Sequence, residues 1–490
     1  MKRSDTYSFI LTLKLSANAN QEKVLNDRFF AAFNMKNKLI KYAKGRVSGL
    51  RQNKEYRQLL NERYILKEKN DFDRIEQIDK RLSELRIQYG LSENQFQKWM
   101  KEQQHKNCNK IDSLTAQKIA SSVWQAVEDC LFKKRKTIHF QKFENFLSLE
   151  GKNNSSGIRY RKGRIEWLGL IIYVQIRHGD DYAREALTHK IKYCRIIRKP
   201  MGTTWHWYVQ LILEGIPPKK HDFLGKGVVG IDPGTSTEAV VSPDNCMLVE
   251  LQSERKNIED EIAHLQRKLD RSRRASNPQN YNSDGTVKKS HRKKWVNSKS
   301  YKKTRMRLKT LRRRNKDAAR QSEEKLANTI LCEFGSDIKT EKMNYSALAK
   351  KAKESHINEE TGRNTSRKRF GKSIGFHAPA RFLNILQRKL SYIDKRIFIV
   401  DTVKFRASQY NHVTDTYTKV ELSDRWKVID GITVQRDLYS AFLLMCAADE
   451  AKPDRNMCEI FFPDFIKNHD TCIKAITNSD IVKPKSFGLL

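Results

Sequence analysis

The arrangement of apolar residues changes twice in the first half of the chain, and this limits the possible folds more than any other feature. Residues 7–16 alternate apolar with polar side chains, which predicts a strand with one buried face. Residues 21–134 carry apolar side chains at three- and four-residue spacing among mixed charges, which predicts helices. Residues 136–215 contain short apolar or alternating runs separated by Gly, Asn and Pro, which predict antiparallel strands. We therefore expect one sheet that includes the first strand, with the helices inserted into it.

Two further patterns bear on the fold. Within the helical segment, residues 54–90 predict either one long amphipathic helix or a helical hairpin. A linker at 215–227 precedes VVGID, which is typical of a buried strand. The remaining elements are predicted as helices at 251–333 with an interruption near 277–285, a strand at 337–345, a helix beginning near Pro379, a strand at 396–405 and a helix at 433–448.

The charge of the chain indicates its partners. Its 490 residues carry a net charge of +39, too large a surplus for an ordinary soluble enzyme, and a polyanion such as nucleic acid is the expected partner. Residues 251–320 hold 23 Lys and Arg against 7 Asp and Glu, which predicts a phosphate-binding pair of helices. A membrane surface is the alternative. However, no run of 18 or more apolar residues predicts a spanning helix, and the N-terminal residues lack a signal-peptide cleavage site.

Eight cysteines are scattered along the chain with no CxxC pair. Such spacing in a long basic chain indicates free thiols in a reducing compartment, and most of them are expected to be small buried side chains.

Three carboxylates occupy unusual positions. Asp232 ends the strand VVGID before a Pro-Gly turn, Glu341 ends the strand DIKTE, and Asp437 shares a helix face with apolar residues. An ionised carboxylate on a buried face is costly unless it is paired or bound to a metal. Each acid alone has an ordinary interpretation: a turn residue for Asp232, a surface strand end for Glu341, and an ion pair with a neighbouring Arg for Asp437.

Together, the three acids predict a metal site beside a bound polyanion. Converging carboxylates repel one another unless cations neutralise them, and hard oxygen ligands suit Mg²⁺. Two such ions, about 4 Å apart, would activate water and stabilise the leaving oxygen during phosphodiester cleavage.

The segments GIDPG, TEKMNYSAL and QRDLYSAF resemble, in this order, the three split segments of a RuvC-type nuclease domain. With the preceding pattern of strand, helices and strands, most of the chain resembles TnpB, the family of transposon-encoded RNA-guided nucleases related to type V CRISPR effectors. The resemblance implies a multidomain α+β fold. In it, a WED-like β-barrel with an inserted helical recognition domain precedes an RNase H-like α/β RuvC nuclease domain. The implied bounds are 1–20 and 136–222 for the barrel, 21–135 for the helical insertion, 223–407 for the first two acidic segments with a basic helical pair at 251–334, 408–433 for a zinc-less hairpin that binds the target strand, 434–450 for the third acidic segment and 451–490 for a tail.

The resemblance also implies a function, an RNA-guided DNA endonuclease that cuts guide-matched DNA next to a short flanking motif. Asp232, Glu341 and Asp437 would be the catalytic residues and the ligands of two Mg²⁺ ions, for which Mn²⁺ can substitute. The implied partners are a guide RNA and double-stranded target DNA, bound by a monomer in the bacterial cytoplasm that associates with the nucleoid through DNA. The residues expected to contact nucleic acid are Arg273, Arg274, Lys293, Lys294, Trp295, Lys302, Lys303, Arg312, Arg313, Arg314, Arg367, Lys368 and Arg369.

The chain departs from this family between its second and third acids, where the family typically carries a zinc ribbon with two CxxC pairs. Asn411 and Thr414 stand where the first pair would be, and His412 alone cannot form a tetrahedral site, so we predict no structural zinc. The side chains expected to form a small hairpin core instead are Tyr417, Val420, Leu422, Trp426 and Val428.

Other functions remain possible from the residues. An actin-like ATPase or sugar kinase also begins with a strand, an acid, Gly and Thr, but it needs a second Gly-rich phosphate loop, for which VIDGIT at 428–433 is a poor candidate. A DDE transposase or junction resolvase would use the same acids without a guide. A guided repressor would bind DNA without cleaving it.

Overall fold

The computed structural model describes residues 7–106, 110–132, 135–218, 224–289, 294–351, 354–355, 357, 362, 370–419, 421, 424–480 and 482–489. Of the residues predicted to contact nucleic acid, Lys293, Arg367, Lys368 and Arg369 lie outside these ranges. The chain divides into two compact units, Met1–Pro218 and Lys219–Leu490, and has a mixed α+β fold.

The first unit combines one sheet with a group of helices. Its elements in chain order are β1 (Ser8–Leu15), α1 (Ala19–Gln52), α2 (Lys54–Glu68), α3 (Phe72–Gln88), α4 (Glu93–Lys106), α5 (Ser113–Leu131), β2 (Ser148–Glu150), β3 (Arg159–Arg161), β4 (Arg164–Trp167), β5 (Leu170–Gln175), α6 (Asp181–Ala186), β6 (Ile191–Met201) and β7 (Thr204–Glu214).

The first strand lies inside the sheet of this unit, as the alternating pattern predicted. The seven strands are ordered β2-β6-β7-β1-β5-β4-β3, and their neighbours pair antiparallel. Every second residue of β1 is buried, and the opposite positions are exposed. The buried face packs against α1, where Phe29 meets Trp207 of β7 with ring centroids 5.0 Å apart. The inserted helices and the sheet therefore share one core.

The helical segment begins and turns at residues suited to these roles. The Asn18 side chain accepts a hydrogen bond from the Gln21 backbone, and the Gln21 side chain accepts one from the Asn18 backbone, which forms a capping box at the start of α1. Residues 54–90 form the helical hairpin rather than one long helix. Its helices α2 and α3 are joined by the bidentate pair of Arg63 with Asp79, at 2.6 and 2.9 Å.

The second unit contains the three acids. Its elements are β8 (Val228–Pro233), β9 (Thr237–Ser242), β10 (Asn245–Glu250), α7 (Glu259–Ser276), α8 (Lys299–Thr329), β11 (Asp337–Glu341), α9 (Tyr345–Leu348), α10 (Gly371–His377), α11 (Pro379–Ser391), β12 (Phe398–Val400), α12 (Thr402–Phe405), β13 (Tyr410–Asn411), β14 (Thr416–Tyr417), β15 (Trp426–Ile429), β16 (Ile432–Gln435), α13 (Arg436–Met445) and α14 (Arg455–Thr477).

A five-stranded sheet in the order β10-β9-β8-β11-β12 forms the centre of this unit. β10, β9 and β8 pair antiparallel, whereas β8, β11 and β12 are parallel. One face packs on α13 and α14 through Ala239 and Val241, and the other packs on α8 and α11 through Val229 and Ile231. The sheet is thus the middle layer of three, and the ends of its parallel strands meet at one edge.

Several predicted elements differ in the structure. The strand expected at 337–345 ends at Glu341 and is followed by α9, and the helix expected from residue 251 begins only at Glu259. The strand expected at 396–405 is limited to β12, because a short helix capped by Asp401 follows. The helix expected from residue 433 begins only at Arg436, since β16 first pairs with β15 in a hairpin. The C-terminal tail, to which the sequence pattern assigned no element, contains α14 with Pro463 inside it. Proline is unfavourable in a helix interior, which explains why the pattern did not indicate this helix.

All seven cysteines that the structure describes are free, and five of them are buried. Cys108 lies outside the described residues. Within the described part of the chain, no helix is long and apolar enough to cross a membrane.

Candidate active site

Two of the three acids end neighbouring parallel strands. Asp232 lies near the end of β8, and Glu341 is the last residue of β11. Thr340 is paired with Ile231 in the register of these strands, and its Oγ1 donates a hydrogen bond of 2.9 Å to the Ile231 carbonyl. Glu341 is therefore level with Asp232, on a strand roughly 5 Å away.

A glycine lets the helix that carries the third acid lie directly on these strands. A Cβ at Gly230 would be 1.9 Å from the Ala441 carbonyl oxygen and 2.4 Å from the Met445 amide nitrogen, so only glycine fits here. Lys339, the register partner of Gly230, donates to the Met445 and Ala447 carbonyls at 3.2 and 2.6 Å. The C-terminal half of α13 is thus held against β8 and β11.

The same contact sets the level of Asp437. Asp437 precedes Ala441 by four helical residues, which is about 6 Å along α13. Asp232 follows Gly230 by two strand residues, which is about 7 Å along β8 and on the same face of the sheet. The first turn of α13 therefore lies over the strand ends, and the structure brings Asp232, Glu341 and Asp437 to one edge of the sheet.

The charges at this edge affect one another. Burial raises the pKa of Asp232 well above the usual aspartate range, Asp437 and Glu341 raise it further, and Arg436 lowers it. Burial also raises the pKa of Glu341 to about 7, although a hydrogen bond from the Ala407 backbone N–H favours its carboxylate. Two of the three acids thus lie in surroundings where burial outweighs the nearby positive charge.

The surroundings of Asp437 differ from those of the other two acids, because two arginines lie beside its carboxylate. Arg436 approaches its carboxylate at 3.2 Å and Arg425 at 3.6 Å. Arg436 is nearly buried, and its guanidinium also donates to the carbonyls of Glu421 and Asp424. The ion pair considered from the sequence is therefore present together with the convergence of the acids, and sequence reasoning missed that Arg436 belongs to the site.

A fourth acid was also missed. Glu238 in β9 is fully buried, and neither of its carboxylate oxygens has a hydrogen-bond partner among the described residues. Burial raises its pKa well above the usual range, and Asp232 raises it further. The hydroxyl of nearby Tyr345 is likewise buried and without a partner in the described part of the chain, and burial, Glu238 and Asp232 all raise the pKa of Tyr345. The segment TEAVVS resembles an ordinary buried strand, and only its single acid could have indicated this position.

The residues at this edge are chemically suited to bind a cation, but their side chains are not arranged as a complete binding site. Among the residues that the structure describes, no group of three or more His, Cys, Asp or Glu is placed to hold a metal ion. The oxygen-only donor set nevertheless matches Mg²⁺ or Mn²⁺. A divalent ion would stabilise the ionised forms of Asp232 and Glu341, whose pKa values are raised mainly by burial, and Asp232, Glu341 and Asp437 remain its predicted ligands.

The start of α13 is fixed by a buried histidine. The Gln435 side chain accepts from the Leu438 backbone N–H and caps the helix, while the Gln435 backbone N–H donates to His469 Nε2 at 2.9 Å. Asp470 contacts His469 Nδ1 at 2.9 Å, which favours the tautomer with a free Nε2 lone pair. This chain of contacts holds the turn on which Asp437 lies.

The segment between the second and third acids forms two small hairpins, β13–β14 and β15–β16. The predicted core was wrong for Val428, which is 62% exposed, and Val420 and Leu422 lie outside the described residues. The hairpins instead depend on buried His412, which contacts the Tyr439 hydroxyl of α13 at 2.8 Å.

A lysine joins these two hairpins to each other and to α13. Lys427 donates to the Tyr410 carbonyl at 2.8 Å, and its ammonium lies over the Tyr439 ring. Burial, together with the nearby charge of Arg436, lowers the pKa of Lys427 to about 8. Tyr417 packs against Tyr410 with ring centroids 4.9 Å apart, and Trp426 donates to the Gly488 carbonyl at 2.8 Å.

Those basic residues predicted to contact nucleic acid that the structure describes lie on and between α7 and α8. At least three of the described ones have partners within the protein: Arg273 contacts Tyr281 and Asp270, Arg274 forms an ion pair of 2.8 Å with Asp270, and Arg313 forms an ion pair of 2.6 Å with Asp317. Trp295 is 37% exposed, and the Arg273 guanidinium covers part of it at 5.1 Å. The exposed cations of the predicted set are Arg274, Lys294, Lys302, Lys303, Arg312 and Arg314.

Comparison with known proteins gives only distant similarity. No protein-family model matches the chain, and no curated protein matches it. Among solved structures, a cryo-EM structure of a Cas12f1–sgRNA–target DNA complex is similar over 89% of this chain and 98% of that chain, at 11% identity and a TM-score of 0.39. A cryo-EM structure of a CRISPR–Cas12f ternary complex covers 89% of this chain and 87% of its own, at 11% identity and a TM-score of 0.23. Function is therefore inferred from the residues of the site.

Proposed function

We propose that the chain is an RNA-guided, metal-dependent DNA endonuclease, in which Asp232, Glu341 and Asp437 form a RuvC-type catalytic centre. The observation that carries the proposal is the convergence of these acids at the ends of β8 and β11, set by Gly230 under α13. The mixed five-stranded sheet with helices on both faces supports an RNase H-like domain.

The sheet and helices of the first unit support the WED-like and recognition roles that the resemblance implies. The partners proposed are a guide RNA and a DNA duplex with a short flanking motif, which the exposed cations of α8 would help to bind through phosphates.

The residues at this edge have distinct roles in the proposed reaction. Asp232 and Glu341, fixed to adjacent strands, would hold the divalent ions and orient them toward the scissile phosphate. The ions, when bound, would activate water and stabilise the leaving oxygen. Arg425 and Arg436 fix the carboxylate of Asp437 and offset its repulsion with Asp232, while the buried Ala407 N–H orients Glu341. The catalytic groups are therefore preorganised, because the strands and the packed helix that carry them move little.

The test uses full-length protein purified with its bound RNA. Sequencing of that RNA should yield one defined transcript, from which a matched DNA target is made. Asp232→Asn, Glu341→Gln and Asp437→Asn should each lower cleavage about a hundredfold or more in Mg²⁺, since metal-ion stabilisation contributes several kcal/mol. Target binding should remain, because no base or scaffold contact is removed.

Asp337→Asn is the matched control. Asp337 lies at the other end of β11 in an exposed ion pair with Lys395, so this variant should cleave like the parent. Cleavage by the Asp232→Asn variant at the parental rate would refute the assignment of the centre. A heterogeneous mixture of RNA would refute the guided function and favour an unguided transposase or resolvase.

A second candidate function is guided DNA binding without cleavage. The observation in its favour is that Asp437 is already paired with Arg425 and Arg436, while the described residues hold no preformed cation site. Binding of Mn²⁺ to the chelator-treated protein separates the two functions. The endonuclease should bind Mn²⁺, and Asp232→Asn should weaken that binding, whereas a repressor-like protein should give no difference between the variants.

The structure argues against the ATPase alternative, because its candidate for the second phosphate loop is part of a hairpin. VIDGIT forms the turn of the β15–β16 hairpin, where Asp430 and Gly431 have φ angles of 49° and 74°. A tight two-residue hairpin turn does not provide a phosphate-binding loop at a helix N-terminus.

A further inference from the structure

A basic, aromatic concavity lies in the first unit, on the helices α1 and α4. It has a volume of about 480 Å³, and no residue of the proposed nuclease centre contributes to it. Its lining includes Lys38, Lys41, Tyr42, Gly45, Arg46 and Trp99. We call it the Tyr42–Trp99 pocket.

The aromatic part of the pocket is already stacked. The rings of Tyr42 and Trp99 lie 5.5 Å apart at an interplanar angle of 27°, and the Arg46 guanidinium lies 5.0 Å from the Tyr42 ring centroid. Both rings are only partly buried. A planar ligand can extend such a stack on Trp99 or on the guanidinium plane, since bases stack on both kinds of surface.

A glycine keeps the pocket open. Gly45 lies inside α1, where glycine is less favourable than alanine. Its φ is not in the left-handed region, and a Cβ added there would meet nothing within 4 Å. Neither backbone conformation nor packing therefore requires glycine here. What its missing side chain does provide is space above the helix, between Tyr42 and Arg46.

The positive charge around this space favours an anionic ligand. Lys38, Lys41 and Arg46 are exposed, and all three line the pocket. Among the described residues that line the pocket, none carries a carboxylate. Aromatic stacking together with flanking cations matches a nucleotide, whose base is planar and whose phosphates are anionic.

We propose that the Tyr42–Trp99 pocket binds one unstacked nucleotide of a single-stranded nucleic acid, with the base on the aromatic stack and the phosphates on Lys38, Lys41 and Arg46. The site shares with the proposed function the premise that the chain binds nucleic acid, but it needs neither metal nor cleavage. An acidic peptide would satisfy the cations but not the stack.

The test combines binding with site-specific crosslinking. RNA-free full-length protein is titrated with fluorescent oligouridylate and oligothymidylate, and photo-crosslinked peptides are mapped by mass spectrometry. We expect crosslinks in α1 or α4 near Trp99. Gly45→Leu fills the pocket and replaces a helix glycine, so the protein should remain at least as stable thermally, while the crosslinks disappear and affinity falls about tenfold.

Trp99→Ala should weaken binding by a similar factor. The control is the double variant Lys67→Ala/Lys69→Ala, which removes two exposed charges, one on α2 and one just after it, and which should retain the crosslinks.

Loss of crosslinking for only the RNA probe or only the DNA probe identifies the kind of strand bound and supports the proposal. Unchanged crosslinking in Gly45→Leu, equal competition by polyglutamate, or no binding of either probe would overturn it. The Asp232→Asn variant should crosslink normally, so that failure of the pocket and failure of the nuclease centre are distinguished.

Discussion

Glu238 has the least favourable surroundings among the acids that the structure describes in the second unit, because it is fully buried and neither of its oxygens is hydrogen-bonded. An unpaired buried carboxylate is costly when ionised, and this cost raises its pKa in the folded protein above that in the unfolded chain. The unfolded chain therefore releases this proton at lower pH. Glu238 contributes stability below its unfolded pKa, and this contribution is lost as the pH rises toward the folded pKa.

Glu238→Gln removes this dependence while keeping the shape of the side chain. In chelator-treated protein, we expect the variant to be more stable than the parent at pH 8 by on the order of 1–3 kcal/mol, with a smaller difference near pH 5. Urea unfolding of the variant and the parent at the two pH values measures this difference in stability. Glu254→Gln, at an exposed glutamate, should change stability by less than about 0.5 kcal/mol at either pH. A variant less stable than the parent at pH 8 would mean that Glu238 has a cationic partner.

At the scale of single residues, the sequence indicated the acids better than their surroundings. Asp232 and Glu341 were found because each ends a recognisable strand, and Asp437 because it interrupts an apolar helix face. Arg436 was missed, since periodicity describes the helix alone and not the carbonyls of Glu421 and Asp424 that its guanidinium contacts. The partners of a buried charge come from distant segments, which a local pattern does not contain.

At the scale of elements, the candidate site depends on how closely α13 approaches β8. Gly230→Ala would place a Cβ against the backbone of α13, which cannot move aside as a flexible side chain could. We expect a loss of roughly 3 kcal/mol or more in the free energy of unfolding, together with loss of cleavage. Chemical denaturation checks the first effect, and the DNA cleavage assay checks the second.

Gly375→Ala is the matched control for this prediction. Gly375 lies in α10 of the same unit, and a Cβ there meets nothing within 4 Å, so the substitution should be neutral or stabilise by up to about 1 kcal/mol. If Gly230→Ala were as stable and active as Gly375→Ala, α13 would not be held in the described register.

Prediction of elements failed where tertiary contacts override local preference. β16 lies in a segment that also fits a helix, and it becomes a strand because β15 supplies its hydrogen bonds. α14 contains Pro463, yet the helix packs Phe462 and Phe465 into the core that also covers α13. The first strand was placed correctly because strict alternation over eight residues leaves few other options.

At the scale of the whole molecule, the net charge of +39 supplies affinity for any polyanion without specifying its sequence. Specificity must then come from the guide in the proposed function, and the exposed cations of α8 should act mainly through phosphates. Affinity that depends on phosphate neutralisation falls as salt concentration rises, because bound counterions are released from the nucleic acid.

The variant Lys302→Ala/Lys303→Ala/Arg312→Ala/Arg314→Ala therefore tests the α8 surface. In a plot of the logarithm of the association constant for non-matching duplex DNA against that of salt concentration, we expect a shallower slope, by about 0.9 for each phosphate that the variant no longer neutralises. Lys467→Ala/Lys474→Ala, at exposed positions of α14, lowers the charge without touching this surface and should leave the slope nearly unchanged. Equal changes per charge in both variants would show that the affinity follows net charge alone, and α8 would then have no special role. A shallower slope for the α8 variant alone would place the duplex along this helix. The shape of the second unit would then decide which phosphates reach the acids.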